Sequence, residues 1–358
     1  MMNQFHKIND RVIRGALLGT GQVAKFQMSA WSKIPDVKIV ALANRTIERA
    51  LTLADQYELE PGHVYSDYRD LLANEPLDFV DIATAPEIHH QQVLEAAGRG
   101  IHVLCQKPFA SSLEEAEEMV RAANRAGILL SVNENWRWRG WYRDIKEMLL
   151  TGVIGNPSYF RIERRYAATL DGLDGEPPTL LSKQSYTKDM NRLIVYEWGI
   201  HLLDIIRFLF GDIKSVYSRM QHVSPYVRGE DRAVIVASAD GVDCVVDISW
   251  ASLIKLERFS QLEYVVIEGS QGTIELLPNS GDIIRVTTRK GVVERPAFSG
   301  SPEIAYQSSY DAAQSHFIEC LKNGKDPETV ATDNIKTLRA VFASYESVES
   351  NQVIKLNE

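Results

Sequence analysis

The stretch that most restricts the fold is Gly19-Thr20-Gly21-Gln22-Val23-Ala24, which directly follows the apolar run 15–18 and opens a helical stretch. Strand, glycines and helix in that order match the Gly-x-Gly-x-x-Gly/Ala fingerprint of a dinucleotide-binding βαβ unit. In that reading Gly19 makes the tight turn and Gly21 lets a pyrophosphate approach the backbone. Thr20, Gln22 and Val23 complete the turn, and Ala24 keeps the helix close to the sheet. The partial positive charge of the helix N-terminus then faces the phosphates. A lone glycine pattern also suits a plain structural turn; its place after a strand near the chain start favours the dinucleotide.

The pattern continues as an α/β domain. Over residues 14–133 the apolar runs 15–18, 37–43, a weak one near Val64, 79–83, 101–105 and 128–132 alternate with amphipathic stretches such as 88–99 and 113–125. This is the grammar of a parallel sheet covered by helices. Ser112-Leu113-Glu114-Glu115 is a capping box at a helix start. Beyond about Trp136, period-two runs rich in Val, Ile and Tyr meet at glycine turns: 158–166, 216–223, 233–239, 242–250, 262–268, 273–277 and 283–288. They predict a large open, mostly antiparallel sheet, with helical stretches 196–210 and 333–349 on one face. The expected division is a Rossmann domain over 1–134 and an α+β domain over 135–358, whose last helix could return to the first domain. The loop 171–178 stands where a substrate lid could be.

With 358 residues, 45% of them hydrophobic and 24% charged, the chain is long enough for two ordinary domains. Asp plus Glu number 48 against 39 Lys plus Arg, a net charge of -9, which argues against nucleic acid as a partner. Cys105, Cys244 and Cys320 lie far apart without a CxxC pair, so neither a disulfide framework nor a thiolate metal site is expected. The first seven residues lack the apolar core of a signal peptide, and no apolar run approaches membrane-spanning length. A cytoplasmic protein with no membrane partner is the expectation.

Several residues could carry chemistry. The second strand ends at Asn44-Arg45, where an Asp or Glu that grips the ribose of NAD commonly sits. Asn44 can bond a ribose hydroxyl without repelling a 2′-phosphate, and Arg45 could pair with that phosphate, so both NAD and NADP are open. Lys107, in a strand-to-loop turn fixed by Pro108, could share or donate a proton beside a nicotinamide, although Lys-Pro is most often an exposed turn. On the apolar helix 196–210, Glu197, His201 and Asp204 fall on one stripe at 100° per residue, and a carboxylate one turn from an imidazole can orient it. The alternative is a hydrogen-bonded structural histidine. Trp136, Trp138 and Trp141 could stack on a sugar or form core. Asn133, Glu134 and Arg137 are plausible polar substrate contacts, and the remaining histidines show no metal-ligand spacing.

The glycine fingerprint, Ala83-Thr84-Ala85-Pro86-Glu87-Ile88-His89, Cys105-Gln106-Lys107-Pro108 and Glu197-Trp198-Gly199-Ile200-His201-Leu202-Leu203-Asp204 together resemble the glucose-fructose oxidoreductase / inositol dehydrogenase / MocA family over residues 14–341. The resemblance implies an NAD(P)-dependent sugar or polyol oxidoreductase in which Lys107 and His201 are catalytic and Glu197 supports His201. It also puts Thr84, His89 and Gln106 on the cofactor side, with Trp136 and Asp204 among the substrate contacts. Three departures stand out: Gln106 replaces a Glu, Ala85 a Pro, and Glu197 an Asp. Gln106-Lys107-Pro108-Phe109, Glu134 to Trp138, Glu197 to Asp204 and Arg228-Gly229-Glu230-Asp231 look most like the D-apiose dehydrogenase branch. The expected reaction is oxidation of an unphosphorylated aldose at C1 to a lactone, with NAD favoured, in a homodimer or homotetramer joined through the open sheet. A sugar-acid oxidoisomerase and an inositol or polyol dehydrogenase are the enzyme alternatives. A non-catalytic NAD(P) sensor is the other, which the presence of both Lys107 and His201 opposes. Arg137, Arg164, Arg165 and Lys183 could bind a carboxylate if the substrate is a sugar acid.

Overall fold

The computed structural model describes residues 5, 6, 8, 11–173, 175–254 and 262–356. The expected absence of a leader at the N-terminus and Asp174 of the expected lid loop lie outside the described residues, as does the side chain of Lys183. The chain divides into two compact units, Met1–Asn135 with Gln307–Ile335, and Trp136–Tyr306 with Lys336–Glu358. It leaves the first unit one residue from the expected boundary and later re-enters it.

In the first unit the elements run β1 (Ile13–Leu18), α1 (Ala24–Trp31), β2 (Val37–Ala43), α2 (Ile47–Gln56), β3 (Val64–Tyr65), α3 (Tyr68–Asn74), β4 (Phe79–Ile82), α4 (Pro86–Gly98), β5 (His102–Gln106), α5 (Leu113–Ala126) and β6 (Leu130–Asn133). All described strands are parallel in the order β3-β2-β1-β4-β5-β6, so the chain reverses its direction of winding between β1 and β4. That is where a doubly wound sheet opens a crevice at its carboxyl edge. Its core is rich in aromatic rings: Trp31, Phe79 and Phe317 pack with centroids 4.8–6.4 Å apart. Gly15 is glycine because the Phe79 ring fills the space a Cβ would occupy, at 2.3 Å. Ser112 caps α5 by accepting from Glu115 N, and Glu115 returns a carboxylate to Ser111 N. Buried Asp81 on β4 accepts from Gln27, Trp31 and Gln314, and burial pushes its pKa up to about 7.

The second unit holds α6 (Gly140–Leu150), β7 (Pro157–Arg165), α7 (Thr179–Lys183), α8 (Ile200–Phe210), β8 (Ile213–Gln221), β9 (Arg232–Ala239), β10 (Val242–Ser249), β11 (Tyr264–Gly269), β12 (Gly272–Leu277), β13 (Ile283–Thr288) and β14 (Gly291–Pro296). Then come α9 (Pro302–Asn323), α10 (Ala331–Ser350) and β15 (Ile354–Lys355), the two helices each crossing a unit boundary. The described strands form one sheet, β14-β13-β12-β11-β7-β10-β9-β8-β15, antiparallel except for the β7–β10 pair. The β9–β10 hairpin turns at Asp240 (φ 42) and Gly241 (φ 82), as its Asp-Gly signature requires. Helix α8 packs on β9 and β10, while the opposite-facing Val234 and Val236 stay 38% and 46% exposed.

Among the elements that escape a periodicity reading, three show why. In α9 the buried side includes Ser309 and Gln314 alongside Tyr310, Ala313, Phe317 and Leu321, so polar residues dilute the apolar stripe. Strand β14 is exposed at every position, and the Pro that ends it is tolerated because it lies at a sheet edge. The short β15 pairs only Ile354 and Lys355 with β8.

Candidate active site

In the first unit the carboxyl ends of β1, β2, β4, β5 and β6 carry the expected residues. Gly19 has φ +96, and a Cβ there would sit 2.6 Å from the Ala83 carbonyl oxygen, so the protein itself requires this glycine. Gly21 is different. A Cβ at that position meets nothing within 4 Å, so the chain's own packing gives no reason for glycine, whereas a ligand lying on the backbone does. Gln22 is exposed, Val23 half-buried, and Ala24 buried beneath the start of α1.

Asn44 braces this turn: its Oδ1 accepts from Thr20 N at 3.2 Å and its Nδ2 donates to Thr46 O at 2.7 Å. Arg45 beside it is exposed. Thr84 donates its hydroxyl to Gln92 at 2.6 Å. His89, expected on the cofactor side, is fully buried with Nε2 3.1 Å from the Thr84 carbonyl and Nδ1 3.1 Å from that of Pro108. Burial pushes its pKa down. It ties the loop after β4 to the loop after β5 instead of offering a nitrogen to a ligand.

Gln106 closes β5 and its Oε1 accepts from Lys107 N at 2.8 Å, fixing the turn that presents Lys107, whose bond to Pro108 is cis. Gln106 Nε2, Thr20 Oγ1 and both amide atoms of Asn133 are buried with no protein partner. Gln106 and Asn133 are in register on β5 and β6, with Glu134 buried next to them. Orphaned buried amides carry a free-energy cost; donors and acceptors of this kind suit the hydroxyls and carboxamide of a dinucleotide. The residues of this edge therefore fit NAD(P).

In the second unit the helix of His201 begins irregularly. Residues Val195–Gly199 form a π-helical turn that runs into α8. The regular stripe expected from 100° per residue thus breaks between Glu197 and His201. π-turns cluster at functional sites. The turn is pinned by Glu230, whose carboxylate accepts from Leu193 N and Val195 N at 3.1 Å and from Tyr345 Oη at 2.6 Å. Burial pushes the Glu230 carboxyl up, and these donors oppose the shift. Next to it, Asp231 accepts from Thr169, Val223 and Ser224. Glu230 of the Arg228-Gly229-Glu230-Asp231 motif is thereby a brace for this helix start, a role that sequence reading missed because Leu193, Val195 and Tyr345 are distant from it in the chain.

Glu197 and His201 are buried, at 7% and 5% exposure. The His201 ring stacks on Trp136 at 4.5 Å with 2° between planes, and the Arg139 guanidinium lies 3.5 Å from the Trp136 centroid. Trp141 is core, against Tyr142 and Phe298, and Trp138 meets Arg143. Arg137 and Asp204, expected to touch substrate, are instead bonded to each other. Asp204 is fully buried and accepts from Arg137 Nε at 2.6 Å and Nη2 at 2.9 Å, and from Thr337 Oγ1 at 2.7 Å. Among the described residues no three His, Cys, Asp or Glu side chains could hold a metal ion, and no helix is long and apolar enough to cross a membrane.

Comparison with known proteins agrees with this geometry. Residues 13–134 match the model of the oxidoreductase family with an NAD-binding Rossmann fold, and residues 142–275 the GFO/IDH/MocA C-terminal domain. The chain is 37% identical to a D-apiose dehydrogenase of Paraburkholderia graminis, over 96% of this chain and 89% of the relative. It is 35% identical to a D-apiose dehydrogenase of Rhizobium rhizogenes, over 98% and 99%. A crystal structure of an oxidoreductase from Agrobacterium radiobacter in complex with NAD+, L-tartaric acid and magnesium superposes with a TM-score of 0.88 at 34% identity, covering 96% of this chain and 98% of that one. A fingerprint whose second glycine no protein atom explains, the doubly wound sheet behind it and the matched open-sheet unit place the chain in the Gfo/Idh/MocA family of NAD-binding oxidoreductases.

Proposed function

We propose that the protein is a sugar dehydrogenase that oxidises an unphosphorylated aldose, D-apiose first among them, at C1 to its lactone. NAD is the favoured acceptor, and NADP is usable. The observation that carries this reading is that two relatives named D-apiose dehydrogenase align along nearly the whole chain at 37% and 35% identity.

The dinucleotide, when bound on the glycine turn and the strand ends, supplies the acceptor for the hydride leaving the sugar carbon. Gly19 to Ala24, Asn44, Thr84, Gln106 and Asn133 would hold it, directly or by shaping the loops. His89 and Asn44 act from beneath, through the loops they brace. His201 takes the proton of the reacting hydroxyl as a general base, with Glu197 four residues before it as its supporting carboxylate. Lys107 holds the oxygen as negative charge develops on it. Arg137 and Asp204 serve as a positioning pair that fixes α8 to the segment before α6. Asn44 brings no charge against a 2′-phosphate, and exposed Arg45 can meet one, which supports dual cofactor use.

A second reading, a polyhydroxy acid as substrate, draws on the tartaric acid in the Agrobacterium complex. The open sheet face, where exposed Val234 and Val236 lie in register with the charged residues Arg161, Glu163 and Asp247, is proposed as a homodimer interface, since apolar side chains left uncovered on a sheet are satisfied by a second copy. The test is a screen of purified protein with pentoses, hexoses, their phosphates, inositols and sugar acids against both dinucleotides. Turnover confined to phosphorylated sugars overturns the proposal, and turnover on aldonates alone replaces it with the acid reading.

A further inference from the structure

We infer that Trp198, not Trp136, is the platform on which the substrate ring stacks, and that Trp198 selects a cyclic sugar with an apolar C–H face. The inference rests on the sugar-dehydrogenase reading and deepens it. Trp136 carries His201 at 4.5 Å and Arg139 at 3.5 Å and is only 3% exposed, so its indole is already committed to the protein. Trp198 stands one ring further out. It meets Trp136 edge-on at 6.0 Å and 89°, so a single aromatic ring separates it from His201.

Its other described aromatic neighbours pack against it and leave part of it exposed. Trp250, 4% exposed, stacks on Trp198 at 5.8 Å and 27°, and Tyr166 meets it edge-on at 5.6 Å. Trp198 itself remains partly exposed. A large indole clamped by three aromatic neighbours yet left partly exposed forgoes some apolar burial that the fold does not recover. A sugar's C–H face restores that burial while its hydroxyls point outward. The Arg164 guanidinium, anchored on the Leu262 carbonyl, stands 5.9 Å from the Trp198 centroid and 5.6 Å from that of Tyr166. It supplies donors at the rim where ring hydroxyls would lie. The π-turn gives Trp198 this place: Glu197, Trp198 and Gly199 belong to it, and His201 is the second residue of α8.

The experiment is calorimetric titration of D-apiose, D-xylose and D-glucose into protein saturated with NADH, for wild type, Trp198→Phe and Trp198→Leu. Trp198→Leu is expected to weaken the best-bound sugar by about tenfold, the loss of the stacking ring, and Trp198→Phe by about two- to threefold, its reduction to a smaller ring. NADH affinity should stay within about twofold, which a merely structural role would not produce. Should the leucine variant fail to fold, the phenylalanine variant decides alone. Sugar affinity unchanged in Trp198→Phe, or NADH and sugar affinity falling together, overturns the platform. So does a wild type that binds no cyclic sugar. Wild-type turnover is scored separately: sugar that binds and depends on Trp198 without being oxidised supports the platform and counts against the proposed reaction.

Discussion

Replacing Gly21 and Gly19 by alanine, one at a time, separates what the glycine turn does for the fold from what it does for a ligand. Gly19→Ala forces a side chain onto a residue at φ +96 and puts its Cβ 2.6 Å from a backbone oxygen that cannot rotate away. The left-handed conformation costs about 1–2 kcal/mol and the contact adds a comparable amount, so stability should fall by about 3 kcal/mol. Gly21→Ala meets no atom within 4 Å and is not in the left-handed region, so stability should hold or rise by about 0.4–1 kcal/mol. The same methyl would lift a pyrophosphate off the backbone donors of the turn. Losing one charge-assisted hydrogen bond, about 1.5–3 kcal/mol, weakens dinucleotide binding roughly 10- to 100-fold. Thermal unfolding gives the first quantity and calorimetric titration with NAD+ the second. A Gly21→Ala protein that binds NAD+ within threefold of wild type, or that loses as much stability as Gly19→Ala, would refute the reasoning about the cradle.

Arg137→Met should cost about 2–3 kcal/mol in denaturant unfolding, because buried Asp204 loses its bidentate partner and keeps only Thr337 and the more distant Arg207; a loss under about 1 kcal/mol would mean the pair is not structural. Asp81 titrates at about 7 in the folded state against 3.8 for an ordinary Asp, so its stabilising contribution is complete at low pH and disappears as the pH rises through about 7. Wild type should lose about 2–3 kcal/mol between about pH 5 and pH 8 from this group, and Asp81→Asn should remove that slope; equal slopes would contradict the assignment. Lys107→Met should keep dinucleotide affinity and lose turnover by about 10²- to 10⁴-fold, whereas a tenth or more of wild-type turnover would remove Lys107 from the chemistry.

The first unit was readable because its information is local. Apolar runs, the glycine turn and the Ser112 cap each depend on neighbours within a few residues, and the observed strands start and stop within about two residues of the runs. The cofactor edge was readable as a set of residues but not as a division of labour. Asn44, His89 and Gln106 bond to loop atoms one to 24 residues away, and nothing in their spacing tells a brace from a contact. The helix of His201 shows the limit most clearly. Its stripe was drawn on α-helical geometry, yet the turn through Glu197 is a π-turn set by Glu230, more than thirty residues downstream. Arg137 and Asp204 look like a substrate pair on the page, and only burial reveals that they close on each other. Helix α9 stayed hidden because Gln314 faces buried Asp81, a polar contact inside a core where a pattern reader expects leucine.

The proposed oxidation of a free aldose at C1 by a nicotinamide dinucleotide has a direct test. The most direct measurement mixes purified protein with D-apiose and NAD+, follows the nicotinamide absorbance and identifies the product by NMR before it hydrolyses. The expected result is one reduced dinucleotide per sugar consumed and a lactone that opens to the acid, with both signals abolished in His201→Asn. Dinucleotide reduction with D-apiose that yields a ketone at another carbon, or no reduction with any unphosphorylated aldose, would contradict it.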